Sequence, residues 1–247
     1  MILRQFLHKD PVAISYLFGC GGHAACAVAD PVGDIAPYLR TADETGMRIR
    51  FVIDTHVHAD HRSAGRALAA AAGAEYVLHK DAAVAFPVRA VTDGDHLPLG
   101  NVVIDVMHTP GHTPEHVCLL VTDRTRADEP WFVLTGHTLM AGDIGRTELA
   151  SDAAAGARIL FASLRRLKAL PDHIEVLPGA YAGSVCGRRL SGKPFSTIGF
   201  ERRFNAAFRI AAEAAFVEYM VQDIPPAPEG AAALRAWNSG MRAQAAE

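Results

Sequence analysis

The sequence predicts a layered α/β sandwich, and three observations support this fold class. Half of the 247 residues are hydrophobic, which is enough to build a sizeable core. Short apolar runs bounded by Gly, Pro, Asp or His recur along the chain, as is typical of β-strands. Helical patterns lie between these runs, so that strands, a helix and further strands would stack as layers.

The predicted strands form a series of short segments along the first three quarters of the chain. In order they are Ala13–Phe18, Ala24–Ala29, Ile49–Asp54, Glu75–Leu78, Val102–Met107, Val117–Val121, Trp131–Thr135 and Ile174–Leu177. The polar residues Asp93, Asp95 and His96 predict a turn before the strand at Val102.

Helical segments are predicted between the strands. They cover Pro31 to about Glu44, Ser63–Ala72, and a stretch from Ser151 or Asp152 to about Leu170. Gly46 and Gly73 follow the first two, where a glycine commonly ends a helix. The third carries basic residues toward its C-terminal end, where positive charge favours the helix dipole.

The chain changes in character after residue 178. Gly179–Pro194 is rich in Gly and Ser and predicts a loop, whereas Phe200–Met220 has apolar residues at helical spacing and predicts one helix. Prolines at positions 225, 226 and 228 end that helix, and Ala231–Arg242 predicts another. We therefore expect a core over residues 1–182, with residues 183–247 as a C-terminal loop and helical extension packed on it.

The composition of the chain restricts the classes of binding partner and the cellular compartment that we expect. The formal net charge is −3, which gives no electrostatic case for nucleic acid or an anionic membrane. No apolar run reaches the ~18 residues of a membrane span, and the N-terminus lacks the apolar segment of a signal peptide. The four cysteines, Cys20, Cys26, Cys118 and Cys186, form no C-x-x-C pair. A cytoplasmic protein with free thiols is the prediction.

The strongest chemical signal is the segment Thr55–His61, THVHADH, which follows a predicted buried strand. In an extended chain, residues at i, i+2 and i+4 point to one side, so His56, His58 and Asp60 can converge, with His61 beside them. A cluster of metal-competent side chains at a strand end predicts a metal site. Surface histidines or a hydrogen-bonded polar loop are the plainer alternatives.

Two later segments place further histidines directly after strands. In Thr109–Thr113, TPGHT, a Pro-Gly turn presents His112 at the end of the strand Val102–Met107. In Leu134–Arg146, LTGHTLMAGDIGR, His137 comes directly after the strand Trp131–Thr135. Histidines delivered by three strand ends to one edge of a sheet are the arrangement expected of an active site.

These motifs together resemble those of a known family. THVHADH is similar to the H-x-H-x-D-H motif of metallo-β-lactamase-fold proteins, and TPGHT and TGHTLMAGDIGRTEL resemble later motifs of its glyoxalase II and persulfide dioxygenase branch. The C-terminal stretch GSVCGRRLSGKPFSTIGFERRFN resembles bacterial members of that branch. The resemblance covers about residues 24–225. It implies an αββα sandwich, the metallo-β-lactamase fold, with the C-terminal helical extension and a metal along one edge.

The resemblance also implies a ligand set, from which this sequence departs twice. The first metal of the family would take His56, His58 and His112, and the second would take Asp60, His61, a T-G-D aspartate and a late histidine. His137 replaces that aspartate here, and alanine replaces the late histidine at position 180. The second position then keeps too few ligands, so we infer one metal ion.

By the same resemblance, mononuclear persulfide dioxygenases hold Fe(II) with two histidines and an aspartate, whose counterparts here are His56, His112 and His137. One Fe(II) per chain is therefore the leading prediction, and Zn(II) is the alternative, because three histidines also suit zinc. Asp143, six residues beyond His137, is a possible alternative ligand.

The leading functional prediction is oxidation of a glutathione-type persulfide, with Asp60 and His61 as catalytic residues. Substrate carboxylates would pair with cationic or polar side chains, for which the candidates are Arg146, Tyr181, Arg188 and Lys193. A structural ion pair is the alternative role of Arg146. Cys186 would face the substrate or lie buried without a role.

Two other functions are compatible with the same residues. A zinc-dependent hydrolase of a thioester, lactone or related acyl bond would use Asp60 to take a proton from metal-bound water. A catalytically silent binding module would keep the fold alone. For both enzyme functions the predicted partner is a small-molecule thiol, persulfide or acyl compound. The C-terminal helix could close over the domain or form the interface of a homodimer.

Overall fold

The computed structural model describes residues 1–241 and contains two six-stranded sheets packed face to face. The strands are β1 (Ile2–Lys9), β2 (Val12–Cys20), β3 (Ala25–Ala29), β4 (Arg48–Ile53), β5 (Glu75–His79), β6 (Arg89–Val91), β7 (His96–Leu99), β8 (Val102–His108), β9 (Val117–Asp123), β10 (Phe132–Gly136), β11 (Glu175–Pro178) and β12 (Ser196–Thr197). The first sheet has the order β1-β2-β3-β4-β5-β6, and the second has the order β12-β11-β10-β9-β8-β7.

The core lies between the two sheets, where alternate strand residues from each sheet meet. Phe18 from β2 packs edge to face on Phe132 from β10, with 5.8 Å between ring centroids. Strands β3 to β6 run parallel in the first sheet, as do β10 and β11 in the second. Strands β4 and β10 each belong to a parallel pair. The loops that follow their C-terminal ends are therefore not tight hairpins, and such loops commonly carry functional side chains.

Helices cover the outer faces of both sheets. They are α1 (Ala36–Glu44), α2 (Gly65–Ala72), α3 (Ala153–Lys168), α4 (Ile198–Phe204), α5 (Glu213–Val221) and α6 (Ala231–Asn238). Helices α1 and α2 bury Tyr38 and Leu68 against the first sheet, and α3 and α5 bury Leu160 and Phe216 against the second. This arrangement confirms the predicted αββα sandwich.

The predicted strands are all present, but four further strands were not predicted. These are β1, β6, β7 and β12. Strand β1 pairs with β2 along its whole length, although its own residues are only partly buried. An edge strand with little burial lacks the clear apolar pattern from which strands are predicted.

The prediction of one helix over Phe200–Met220 is wrong, because α4 and α5 are separate. Asn205 ends α4 in an extended conformation, and its side-chain Nδ2 donates hydrogen bonds to the Asp143 carbonyl and to Glu201. Its Oδ1 accepts a hydrogen bond from Phe208 N. Asparagine competes with helical hydrogen bonds in this way. The helix predicted to reach Arg242 ends at Asn238, and position 242 lies outside the described residues.

Across residues 1–241, every helix is too short or too polar to cross a membrane.

Candidate metal centre

Residues after β4 form the first part of the site, and a buried aspartate fixes their backbone. Asp30, which follows β3, accepts hydrogen bonds from Thr55 N at 2.7 Å and from Thr55 Oγ1 at 2.9 Å. The Thr55 hydroxyl also lies 3.0 Å from His56 Nδ1. Since Nδ1 is engaged on this side, His56 Nε2 is the atom left to face the site.

His112 is brought to the same place by the Pro-Gly turn after β8. Gly111 has a φ of +138°, and a Cβ there would clash with Leu160 of α3, so the turn requires glycine. His112 Nδ1 lies 2.7 Å from the carbonyl oxygen of Arg146. Because a carbonyl oxygen can only accept a hydrogen bond, Nδ1 of His112 carries the proton. Its Nε2 therefore has a lone pair that can bind a metal ion.

His137 follows β10 through a second turn that requires glycine. Gly136 has a φ of +48°, and a Cβ there would lie 2.5 Å from His116 Nε2. The backbone N of His137 donates a hydrogen bond to that same His116 nitrogen at 3.1 Å. Its own Nδ1 lies 3.2 Å from His112 Nε2. His116 therefore orients the segment that carries His137.

His56, His112 and His137 together can offer three ligand atoms that lie within 4.8 Å of one another. Burial, together with neighbouring imidazoles, lowers the pKa of His112 to about 3 and that of His137 to about 4. Burial and the same neighbours hold the pKa of His56 well below its usual value. His56 Nε2 is buried without a hydrogen-bond partner in the described chain. A cluster of neutral imidazoles with an unused lone pair fits a metal ion.

These lowered pKa values predict acid instability of the metal-free protein. Each of these histidines takes up a proton more readily when unfolded, so stability is present above pH 6.5 and is lost as the pH falls toward the folded values. Between the unfolded and the folded pKa, each histidine changes the free energy of unfolding by about 1.4 kcal/mol per pH unit. Urea unfolding between pH 7.5 and 5 should show this loss. A free energy of unfolding that stays constant over this range would contradict the prediction.

His58 differs from the other histidines because it lies between two aspartates. Its Nε2 is 3.2 Å from Asp30 Oδ1, and its Nδ1 is 3.6 Å from Asp60 Oδ1. Burial would lower the pKa of His58, but the two carboxylates outweigh burial and raise it well above 6.5. His58 therefore has the opposite effect on the pH dependence, and it partly offsets the acid loss. Its ligand atom lies within 4.8 Å of those of His56 and Asp60.

Asp60 and His61 lie next to the three histidines and are almost entirely buried. The carboxylate of Asp60 lies between two imidazoles, with Oδ2 3.1 Å from His61 Nδ1 and Oδ1 3.6 Å from His58 Nδ1. The histidines at positions 61 and 58 outweigh burial and hold the pKa of Asp60 well below its usual value. Both residues line a cleft of about 660 Å³, which also contains Phe6, His8 and Arg62. An ionised carboxylate is therefore available where a substrate could enter.

None of the four side chains predicted to bind substrate is among the described residues that line this cleft. Arg146 and Arg188 are bound to other parts of the chain. Arg146 forms an ion pair with Glu148 and donates to the carbonyls of Val185 and Pro225, so the structural alternative describes its contacts. Arg188 donates to the carbonyl of Gln222 at 2.9 Å and stacks on Tyr219.

Tyr181 and Lys193 also have contacts within the chain. The Tyr181 hydroxyl donates to the carbonyl of His8, and the Lys193 ammonium lies 4.4 Å from the ring centroid of Phe195. Neither residue lines the cleft beside Asp60 and His61.

Asp143, considered as an alternative ligand, has a different set of partners. Its carboxylate accepts hydrogen bonds from the backbone N of Arg188, Arg189 and Ile144. It belongs to no cluster of potential metal ligands in the described chain. Asp143 therefore holds the loop that carries Cys186, and His137 is the residue of this segment that reaches the histidine cluster.

Helix α6 supports the first motif through contacts that the sequence did not indicate. Asn238 Nδ2 donates to the carbonyls of His58 and His61 at 2.8 and 2.7 Å. Arg235 donates to the carbonyl of Val57 and pairs with buried Glu115, which itself accepts from Val57 N. The contacts of α6 with residues 57, 58 and 61 join positions 177 to 180 residues apart, and no local pattern marks them.

Replacing Asn238 with alanine should weaken metal binding. The two carbonyls would lose their donor, and the loop that carries His56, His58 and Asp60 would lose its fixed position. Loss of comparable supporting contacts costs about 10-fold to 100-fold in metal affinity. Competition with a chromophoric chelator would measure this change. Asn101→Ala, in the turn before β8, is the matched control, and equal affinities in the two variants would refute the role of Asn238.

Comparison with known proteins places the chain in a family. The model of the metallo-beta-lactamase superfamily matches residues 15–179. The chain is 34% identical over 206 residues to a probable metallo-hydrolase of Burkholderia pseudomallei, with 69% of each protein covered. It is 32% identical over 166 residues to hydroxyacylglutathione hydrolase of Rhodospirillum rubrum, covering 66% of this chain and 60% of that relative. It is 25% identical over 232 residues to the mitochondrial persulfide dioxygenase ETHE1 of Homo sapiens, covering 93% and 84%.

Solved structures give the same result. A metallo-beta-lactamase from Staphylococcus aureus subsp. aureus COL superposes with a TM-score of 0.91 and 34% identity, covering 96% of this chain and 72% of that one. ETHE1 from Myxococcus xanthus superposes with a TM-score of 0.83 and 28% identity, covering 98% and 100%. The resemblance seen in the motifs is confirmed, and the chain belongs to the metallo-beta-lactamase superfamily.

Proposed function

We propose that the protein is a mononuclear metalloenzyme that oxidises a glutathione-type persulfide, with one Fe(II) held by His56, His112 and His137. The observation that carries the proposal is the cluster of three buried, neutral imidazoles whose ligand atoms lie within 4.8 Å. Similarity to the human persulfide dioxygenase over 93% of this chain supports the choice of reaction.

The three ligands come from separate loops, and Asp60, whose ligand atom lies within 4.8 Å of that of His137, lines the adjacent cleft. When bound by three side chains, Fe(II) supplies open positions at which a substrate sulfur and O₂ can be brought together. Asp60 lines the cleft as a carboxylate whose pKa the neighbouring histidines hold low, so it is ionised and can accept a proton from a substrate thiol group. His61 Nδ1 is 3.1 Å from Asp60 Oδ2 and can pass that proton on toward solvent.

The cleft beside Asp60 provides the substrate site of the proposal. The hairpin of β1 and β2 contributes Phe6 and Leu7, and α6 contributes Leu234, so much of the wall is apolar. Arg62 is the one arginine or lysine among the described residues that line the cleft, and a substrate carboxylate can pair with it. Burial of the reacting groups keeps bulk water away from a reactive persulfide.

A zinc-dependent hydrolase is the second candidate. The same Asp60 carboxylate is placed to take a proton from an attacking water, and hydroxyacylglutathione hydrolase is among the relatives. His137 stands where an aspartate could bridge two ions, so a single ion is favoured. A hydrolase with one ion would lack the second positive charge that a dinuclear hydrolase uses.

Metal analysis and two assays separate these functions. Metal-free protein should be loaded with Fe(II) or Zn(II), and then assayed for oxygen uptake with glutathione persulfide and for hydrolysis of S-lactoylglutathione. Oxygen uptake by the iron form alone supports the proposal. Hydrolysis by the zinc form without oxygen uptake overturns it in favour of the second candidate. Failure to retain either ion indicates a silent binding module.

A further inference from the structure

Arg62, which lines the cleft beside Asp60 and His61, directly follows the first motif and carries a charge that no carboxylate of the described chain neutralises. Asp10 and Asp34 line the same cleft, but neither pairs with it. Among residues 1–241, the ion pairs between arginine and a carboxylate are formed instead by Arg89, Arg146, Arg166, Arg202 and Arg235.

An aromatic ring takes the place of a carboxylate beside this arginine. The guanidinium carbon of Arg62 lies 5.2 Å from the ring centroid of Trp237, which belongs to α6 and is 48% exposed. A ring face attracts a guanidinium but carries no net charge, so the positive charge of Arg62 is held in place without being neutralised. A guanidinium that stacks by its face can still donate its N–H groups, in its own plane, to a carboxylate.

Helix α6 also fixes the backbone on both sides of Arg62. The side chain of Asn238 donates from Nδ2 to the carbonyl of His61 at 2.7 Å and accepts through Oδ1 from Ser63 N at 2.9 Å. Leu234, one turn earlier in the same helix, lines the cleft. One helix therefore positions the backbone of this arginine and its charged group, and forms part of the wall that a substrate would touch.

We propose that Trp237 is a positioning residue, which holds the guanidinium of Arg62 ready to bind a carboxylate of the substrate. Through this pair, α6 selects thiol compounds that carry a carboxylate over neutral ones. A side chain that is already ordered loses less freedom on binding, which favours affinity. The inference rests on the proposed function for the reaction, but recognition of the carboxylate can be measured without turnover.

Steady-state kinetics with glutathione persulfide test the pair. Arg62→Gln should raise KM by about 10-fold to 100-fold, because a hydrogen bond to a charged group is lost. Trp237→Leu should raise KM by about twofold to fivefold, and Trp237→Phe, which keeps a ring face, should restore most of this loss. The kcat per bound iron should stay unchanged in all three. In the Arg62→Gln background, Trp237→Leu should add nothing, because it acts through the arginine.

Matched variants and a measurement of bound iron distinguish positioning from a merely structural role. Arg66→Gln removes an arginine that stacks on Phe86 outside the cleft, and Trp131→Leu removes the other exposed indole; both should keep the unmodified KM. Circular dichroism checks that each variant is folded. An unchanged KM in Trp237→Leu overturns the proposal, as does a fall in bound iron that accounts for its whole effect.

The diethyl ester of glutathione persulfide tests which group is recognised, since both carboxylates are blocked. The unmodified enzyme should show a raised KM for the ester, and neither Arg62→Gln nor Trp237→Leu should raise it further. If these variants raised KM for the ester as much as for the free acid, the pair would act on a group other than a carboxylate, and the proposal would be wrong.

Fluorescence separates this inference from the proposed function. The chain has two tryptophans, so Trp131→Phe leaves Trp237 as the sole indole. Reduced glutathione, added to the Fe(II)-loaded variant without O₂, should change the emission of Trp237 as the carboxylate binds Arg62. The diethyl ester should not, and Arg62→Gln should abolish the change. A normal titration without any oxygen uptake in air refutes the proposed function alone. Normal oxygen uptake with no emission change refutes the role of Trp237 alone.

Discussion

Replacing His112 with alanine is expected to remove the metal and the activity together. His112 is 3% exposed, and the Arg146 carbonyl fixes its proton on Nδ1, so Nε2 is committed to the site. Loss of this ligand leaves His56 and His137, which are too few for a tight site. We expect at least about a 100-fold loss of affinity for Fe(II), measured by chelator competition.

A histidine far from the cluster provides the control for this variant. His96 has an exposed side chain in β7, and His96→Ala should bind iron as the unmodified protein does. His112→Gln would fill most of the space without providing an imidazole nitrogen. If the His112 variants kept the iron content of the His96 control, His112 would not be a ligand.

Replacing Asp60 with asparagine should abolish most of the activity while the three-histidine site keeps its iron. The amide preserves the size of the side chain but cannot accept a proton as the carboxylate does. Loss of a general base typically costs about 10²-fold to 10⁴-fold in rate. Steady-state oxygen uptake with glutathione persulfide, normalised to bound iron, would measure this loss in kcat.

An exposed carboxylate provides the matched control for this second variant. Asp81 is 54% exposed and lies after β5, so Asp81→Asn should be as active as the unmodified protein. Wild-type kcat in the Asp60 variant would exclude Asp60 from proton transfer. Loss of iron in that variant would instead make Asp60 a ligand of the iron itself.

Much of this centre could be predicted because its residues follow apolar strands in short, distinctive motifs. Alternation along an extended chain predicted that His56, His58 and Asp60 could converge. A Pro-Gly turn predicted the position of His112, and the end of a predicted strand that of His137. The environment of each side chain was less predictable. Nothing local indicated that His58 lies between two aspartates, one of which comes from another strand.

The parts that could not be predicted depend on contacts between distant segments. Asn238 and Arg235 support the first motif from the far end of the chain, and their helix has no feature that specifies this partner. Arg146 and Arg188 were expected to bind substrate because a positive charge near a site suits an anion. Both side chains donate to main-chain carbonyls of the C-terminal extension, which a sequence pattern does not reveal, and their role toward a substrate stays a prediction.

X-ray absorption at the iron edge of the Fe(II)-loaded protein addresses the central claim, which is that imidazoles from three loops bind one ion. We predict one iron per chain, with the scattering pattern of three imidazoles and no sulfur neighbour. A spectrum without imidazole scattering, or a pair of iron atoms at metal–metal distance, would contradict this account of the site.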